Sequence, residues 1–199
     1  MQIEYEATFI NINKDEIREK LRSVGAELIR PEFFQKRVTF NLPAGHEIKG
    51  GWIRVLDTGE KHILSLKIVD GSKIKDQKEI NINVGSFTDM VEFLKKIGCQ
   101  KKAYQETKRE LWILDGVEIT IDEWPFLEPY VEVEGKSENE VKKVSEKIGF
   151  NYRDALFCCV STLYSKKYNI SEEIINNQIP KIIFEGENPL RALVDRQLK

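Results

Sequence analysis

Hydrophobic and polar positions change period repeatedly along the chain. The changes mark a unit of strand, amphipathic helix and terminating glycine that occurs three times. Ile3 to Phe9 alternates with period two, then Ile17, Leu21 and Val24 recur at helical spacing over Lys14 to Val24, and Gly25 follows. Glu79 to Val84 alternates again, and Met90, Val91, Phe93, Leu94 and Ile97 fit a helix over Thr88 to Ile97 ahead of Gly98. Tyr130 to Gly135 opens the third unit, with Val141, Val144 and Ile148 on a helix over Glu138 to Ile148 that Gly149 ends. Ser86 and Ser137 stand where N-caps belong, and Ser137 has Glu140 three positions on.

Further strands lie between these units. Trp52 to Leu56 and Ile63 to Val69 flank Asp57-Thr58-Gly59-Glu60, which predicts a hairpin with glycine in its loop. The first two units continue alike: Gly25 leads to Lys36-Arg37-Val38-Thr39-Phe40 and Gly98 to Lys108-Arg109-Glu110-Leu111-Trp112. Arg37 and Arg109 thus hold equivalent strand positions, which a duplicated scaffold explains and a phosphate site could use. Strands outnumber helices and the connections are short, so the sheet should be largely antiparallel.

On several strands polar residues alternate with large apolar ones: Arg37 and Thr39 against Val38 and Phe40, Arg54 against Ile53 and Val55, Ser65 and Lys67 against Leu64, Leu66 and Ile68. A half-exposed sheet accounts for any one of these strands. So many polar faces carrying both signs of charge, with three helices to cover the apolar faces, predict more. The expected fold is α+β, a closed antiparallel barrel with a charged lumen and amphipathic helices packed outside. After Tyr168 the periodicity fades. One domain is expected over residues 1–168, with a C-terminal tail over 169–199 that holds a short strand at Ile182-Ile183-Phe184.

Composition narrows the function. The 199 residues are 41% hydrophobic and 32% charged with a net charge of −2, which fits one globular domain and supplies no basic field for nucleic acid. Lys101-Lys102 and Lys166-Lys167 read as solvated surface. No apolar run reaches membrane-spanning length, and strand-like sequence stands at the start in place of a signal peptide. The three cysteines form no disulfide framework, and Cys158-Cys159 falls in Asp154 to Val160, which reads as a buried helix. His46 and His62 show no ligand spacing, which argues against zinc and against a histidine relay. These features point to a reducing cytoplasm and no membrane partner; a homodimer stays open.

The candidate chemistry lies in paired carboxylates. Glu4-Tyr5-Glu6 and Glu132-Val133-Glu134 each project two glutamates from one strand face, and Asp122 ends a third acidic strand from Val117. Carboxylates converging on one face repel unless a cation holds them, and an oxygen-only ligand set suits Mg²⁺ or Mn²⁺. Arginines and lysines opposite them would bind the phosphates of a linear polyphosphate.

At these residues the sequence resembles the CYTH superfamily, the triphosphate tunnel metalloenzymes, which include class IV adenylate cyclases, thiamine triphosphatases and tripolyphosphatases. The family's Glu-x-Glu-x-Lys signature is similar to Glu4-Tyr5-Glu6-Ala7-Thr8. Its arginine and lysine strands look like Trp52-Ile53-Arg54 and Leu64-Ser65-Leu66-Lys67, and its Lys-x-Arg strand like Thr107-Lys108-Arg109. Its closing pattern resembles Ile121-Asp122-Glu123-Trp124 and Tyr130-Val131-Glu132-Val133-Glu134. The resemblance implies an eight-stranded barrel whose lumen is the active-site tunnel. It implies Glu4, Glu6, Asp122, Glu132 and Glu134 as metal ligands and Arg37, Arg54, Lys67 and Arg109 as phosphate-binding cations. It departs from the family at Thr8 and Thr107, where lysines are usual, and at Leu56, where a second arginine often follows Arg54. With the signature lysine replaced by Thr8, no catalytic residue is assigned. The expected function is a divalent-metal-dependent enzyme that hydrolyses a triphosphate or cyclises ATP. The alternatives are a non-catalytic triphosphate-binding module and a small barrel whose glutamates face solvent.

Overall fold

The structure is a computed structural model that describes residues 1–197. It contains β1 (Gln2–Ile3), β2 (Tyr5–Phe9), α1 (Lys14–Ser23), β3 (Glu27–Asn41), β4 (Gly51–Asp57), β5 (His62–Val69) and β6 (Gln77–Val84). There follow α2 (Phe87–Lys96), β7 (Gln100–Leu114), β8 (Val117–Glu123), β9 (Tyr130–Gly135), α3 (Glu138–Ile148), α4 (Val160–Tyr168), α5 (Glu172–Gln178), β10 (Lys181–Ile182) and α6 (Pro189–Gln197).

The strand order β1-β6-β5-β4-β3-β7-β8-β9-β2 makes an antiparallel barrel, because β1 and β2 are one N-terminal strand interrupted at Glu4. The first part pairs with β6 (Gln2 opposite Glu79) and the second with β9 (Glu6 opposite Glu134). Nine strands therefore lie on the path, and they become the expected eight when the interrupted strand is counted once. Between β2 and β6 the wall is completed by other groups. Leu156 exchanges both backbone hydrogen bonds with Thr8 at 2.9 Å, and the Gln77 side chain donates to the Glu6 carbonyl at 2.8 Å. The barrel is nearly closed.

Local chemistry sets the helices. The Asn13 side chain accepts from the Asp15 and Glu16 amides, Ser86 from Asp89 and Ser137 from Glu140, so orphan amides of the first turns are satisfied. Gly149 closes α3 at φ 97°, a conformation other residues enter at a cost. Ile17, Leu21, Val141, Val144 and Ile148 pack on the outward faces of Ala7, Ile119, Ile121, Val131 and Val133, all buried. Each large side chain in this layer contributes about 1.5–3 kcal/mol by leaving water. On the other side Leu94 of α2 packs with Val38, Phe40 and Val55.

The chain beyond Tyr168 adds a third cluster, in which Ile170, Ile175, Ile179, Ile182 and Leu190 pack with Trp124, Tyr130, Leu163 and Tyr164. Within it β10 pairs in parallel with β7. One expectation is corrected: Asp154 to Val160 is not a helix. A single turn at Tyr152–Asp154 gives way to extended chain, since Leu156 is drawn into pairing with Thr8 at the barrel seam, and helix resumes only at Val160. Cys158 and Cys159 are consequently half-buried, not core residues. Among the described residues no helix is long and apolar enough to cross a membrane.

Candidate functional site

Strand parity turns polar side chains into the barrel. Glu6 and Glu134 are direct cross-strand partners, so their side chains leave the same face side by side. Glu4 sits at the strand interruption, where its amide bonds to the Gln77 carbonyl at 2.9 Å. Carboxylate oxygens of Glu4, Glu6 and Glu134 lie within 4.8 Å of one another. Burial first and crowding second raise their pKa values. Burial, then the charges of Glu132 and Glu4, pushes Glu6 well above the usual carboxylate range. Burial, then Glu4 and Glu118, pushes Glu134 up to about 7. For Glu4, burial outweighs the opposing attraction of Lys67, and its pKa is also raised.

The remaining predicted carboxylates are held differently. Arg109 donates from Nε and Nη2 to the two oxygens of Asp122, each at 2.7 Å, and from Nη2 to Glu132 at 2.7 Å. Thr120 donates to Asp122 at 2.8 Å. Asp122 is fully buried, so this fork supplies its counter-charge. Glu132 is still pushed up to about 7, first by burial and then by Asp122.

Lys67 donates to Glu4 at 2.9 Å and lies 3.7 Å from Glu79. Arg54 donates to Glu79 at 3.0 Å and to Ser65 at 3.3 Å. Burial opposes ionisation of Glu79, but Lys67 and Arg54 more than offset it and bring its pKa to about 2. Arg37 has no carboxylate partner. It donates to Thr107 Oγ1 at 2.5 Å and Gln35 Oε1 at 3.1 Å, and its guanidinium lies 4.5 Å from the centroid of the Trp124 ring. Burial, then repulsion from Arg54 and Arg109, lowers its pKa to about 9. At neutral pH it is charged and short of counter-charge. Among the described residues, Nε of Arg37 and Nε of Arg54 are the buried side-chain polar atoms without a hydrogen-bond partner.

The carboxylates singled out in the sequence therefore divide into a cluster of Glu4, Glu6 and Glu134 and a pair, Asp122 and Glu132, bound to Arg109. Thr8 is buried opposite Glu132, and Leu56 is buried opposite Arg37. Sequence reasoning missed Glu79, Gln35 and the acceptor role of Thr107. The alternation of Glu79, Asn81 and Asn83 with Ile80 and Ile82 carried a signal for Glu79, whose register partner is Lys67. Gln35 offered none, because β3 carries irregularities between Leu28 and Phe33 that break the parity before it.

The family model described as CYTH domain matches residues 2–159. No curated protein matches the chain in sequence with significance. Solved structures share the fold. A conserved hypothetical protein from Pyrococcus furiosus is 21% identical with a TM-score of 0.67, over 80% of this chain and 99% of that one. A candidate adenylate cyclase from Vibrio parahaemolyticus is 11% identical with a TM-score of 0.67, over 82% and 98%. A candidate adenylyl cyclase from Hippeastrum, described with a dominant triphosphatase activity, is 14% identical with a TM-score of 0.52, over 86% and 97%.

Proposed function

The chain belongs to the CYTH domain family, and on that premise we propose that its lumen binds a triphosphate compound with Mg²⁺ or Mn²⁺ and acts on it, by hydrolysis or by cyclisation of ATP. The observation that carries this reading is the pair of buried, unpartnered Nε–H donors on Arg37 and Arg54 in the same lumen as crowded carboxylates. A linear polyphosphate carries acceptor oxygens for the first set, and a divalent cation neutralises the second.

The donor set fits a hard cation. Glu4, Glu6 and Glu134 offer oxygens within 4.8 Å of one another, and the pKa values of Glu6 and Glu134, raised first by burial and then by neighbouring carboxylates, mark negative charge that such an ion would offset. When bound, the ion would polarise phosphate oxygens and neutralise charge that develops on them. The chain's own groups do the rest. Arg37 and Arg54 orient the phosphates through their free donors. Lys67 neutralises an oxygen while still held by Glu4 and Glu79. Arg109 can transfer its fork from Asp122 and Glu132 to phosphate, which frees both carboxylates to join the metal site. The barrel wall shields these charges from much of the solvent, so they are screened less than surface charges. In hydrolysis, water attacks the terminal phosphorus in line, its bond to the bridging oxygen breaks, and orthophosphate and the shortened phosphate chain are released. In cyclisation, the ribose 3′-hydroxyl attacks the α-phosphorus and pyrophosphate leaves.

A non-catalytic binding module is the second reading. It is favoured by Thr8, which is buried beside Glu132 with a hydroxyl where the family signature has an ammonium group. The tunnel unit in this proposal spans residues 1–168, with 169–199 as an appended segment, and the three free cysteines suit a reducing cytoplasm. Purified protein supplied with ATP, thiamine triphosphate and tripolyphosphate, with Mg²⁺ and with Mn²⁺, decides among these. Phosphate release identifies a hydrolase and cyclic AMP a cyclase. Metal-dependent binding without turnover identifies the module, and no binding of any of the three overturns the proposal.

A further inference from the structure

Helices cover much of the barrel's outer wall. α1 and α3 pack on β2, β8 and β9, and α2 packs on β3 and β4. Along β6 and β1 the outward apolar residues are left bare. Strand parity sends Glu79, Asn81 and Asn83 inward, so Ile80 and Ile82 face out, opposite Leu66 and Leu64 of β5. Ile3 of β1 lies opposite the outward Lys78. Ile82 is 53% exposed, and Ile3 and Ile80 are exposed as well. An antiparallel sheet that meets water on one face normally turns its polar residues to that face. Here the lumen takes the polar residues, and the apolar ones are left outside.

α2 packs against β4 and β5 and so borders this face. Its buried stripe runs through Phe87, Met90, Val91 and Leu94. Phe93 and Ile97, four residues apart on one flank, are 56% and 50% exposed. A single exposed isoleucine is ordinary on a protein surface. Five large apolar side chains on one side of a barrel mark an interaction surface.

The size and charge of this surface suit a second copy of the chain. β6 is 8 residues long, or about 27 Å, and β1, β6, β5 and the helix beside them span about 20 Å. The footprint is on the order of 500 Å² per copy, so two copies reach the roughly 1,000 Å² expected of a specific interface. Both borders carry both signs of charge. Lys78 and Asp70 pair at 3.1 Å on the β1 border, and α2 has Asp89 in its first turn and Lys95 and Lys96 in its last. A two-fold axis running along β6 sets the α2 border of one copy against the β1 border of the other. Each border then meets charges of both signs, as an isologous contact requires.

We propose that the outer face of β1, β5 and β6, with the flank of α2, is a dimer interface occupied by a second copy of this chain. The interface is independent of the lumen chemistry, because strand parity points the lumen side chains the opposite way.

Sedimentation velocity of the full chain tests it. The protein should form a dimer with a dissociation constant below about 10 µM. Ile82→Arg and, separately, Phe93→Lys should each weaken the dimer at least tenfold while the circular dichroism spectrum is unchanged, since both side chains are exposed in the single chain. Hydrogen exchange of the unsubstituted protein gives a second readout that needs no variant to fold. Amides of β6 and α2 should exchange more slowly at about 100 µM than at about 1 µM. A chain that stays monomeric at about 100 µM, a dimer that survives both substitutions, or exchange in β6 and α2 that ignores concentration would each overturn the proposal.

Discussion

Arg37 and Thr107 are joined across β3 and β7 by a 2.5 Å hydrogen bond, and the bond places a guanidinium where the chain lacks two expected cations. Thr107 occupies a position usually lysine in the family, and Leu56, at the second, is the direct cross-strand partner of Arg37. Arg37 is in contact range of both. One buried arginine thereby restores positive charge to a stretch of lumen that the sequence alone presents as depleted.

Arg37 should accordingly be a ligand-binding residue and not a stabilising one. Arg37→Met removes a charge that Arg54 and Arg109 repel, and leaves Gln35 and Thr107 hydrogen-bonded to each other at 3.1 Å. Triphosphate affinity should fall at least tenfold, about 1.4 kcal/mol, while the ligand-free protein melts no lower than wild type. Isothermal calorimetry with parallel thermal melts checks both; a lower melting temperature with unchanged affinity would assign Arg37 to the scaffold.

Removing charge from the acidic cluster should have the opposite signature. The Glu134 pKa is pushed up to about 7 from an ordinary value of 4.5, so at neutral pH its buried charge costs the metal-free fold on the order of 2–3 kcal/mol. The double change Glu6→Gln and Glu134→Gln keeps shape and removes that cost. The metal-free melting temperature should rise, and the upward shift on adding Mn²⁺ should vanish. A Mn²⁺ shift that survives would remove these glutamates from the metal site.

Arg109 is the residue whose loss the fold should tolerate least. Arg109→Met would leave Asp122 fully buried with only Thr120 as donor and would strand Glu132 beside it. Breaking a buried pair from one side costs about 3–5 kcal/mol. Urea denaturation should show a loss of that size, and the additional change Asp122→Asn should recover part of it. A loss below about 1 kcal/mol would mean that water reaches the pair.

Glu79 gives the fold a dependence on acid. Its folded pKa is depressed to about 2 from an ordinary value of 4.5. The carboxylate therefore stabilises the fold above 4.5, and that contribution is lost as pH falls from 4.5 towards 2. Its size is on the order of 3 kcal/mol. Glu79→Gln should be destabilised relative to wild type at pH 7 and nearly equal to it at pH 2. Melting curves of the two proteins across this range check the sign; a constant difference would place the effect in packing.

What the sequence determined by itself was local in origin. Side-chain periods of two and 3.6, caps such as Ser137 and stops such as Gly149 depend on a few neighbouring residues. The strand–helix units, the inward parity of Glu4, Glu6, Arg54 and Lys67, and the α+β barrel were therefore legible before any coordinates. What only the tertiary structure decided depends on pairings between distant segments. Register sets Glu6 beside Glu134 and Lys67 beside Glu79, and it hands Asp122 and Glu132 to Arg109. Leu156 leaves the helix its sequence suggests and pairs with the backbone of Thr8 at the seam, where a buried amide left unpaired would cost about as much as a lost hydrogen bond. A one-residue bulge sends Lys102 into a cavity where periodicity had left it on the solvated surface. Parity can be counted along one strand, whereas register, bulges and closure are fixed only when every strand has found its neighbour.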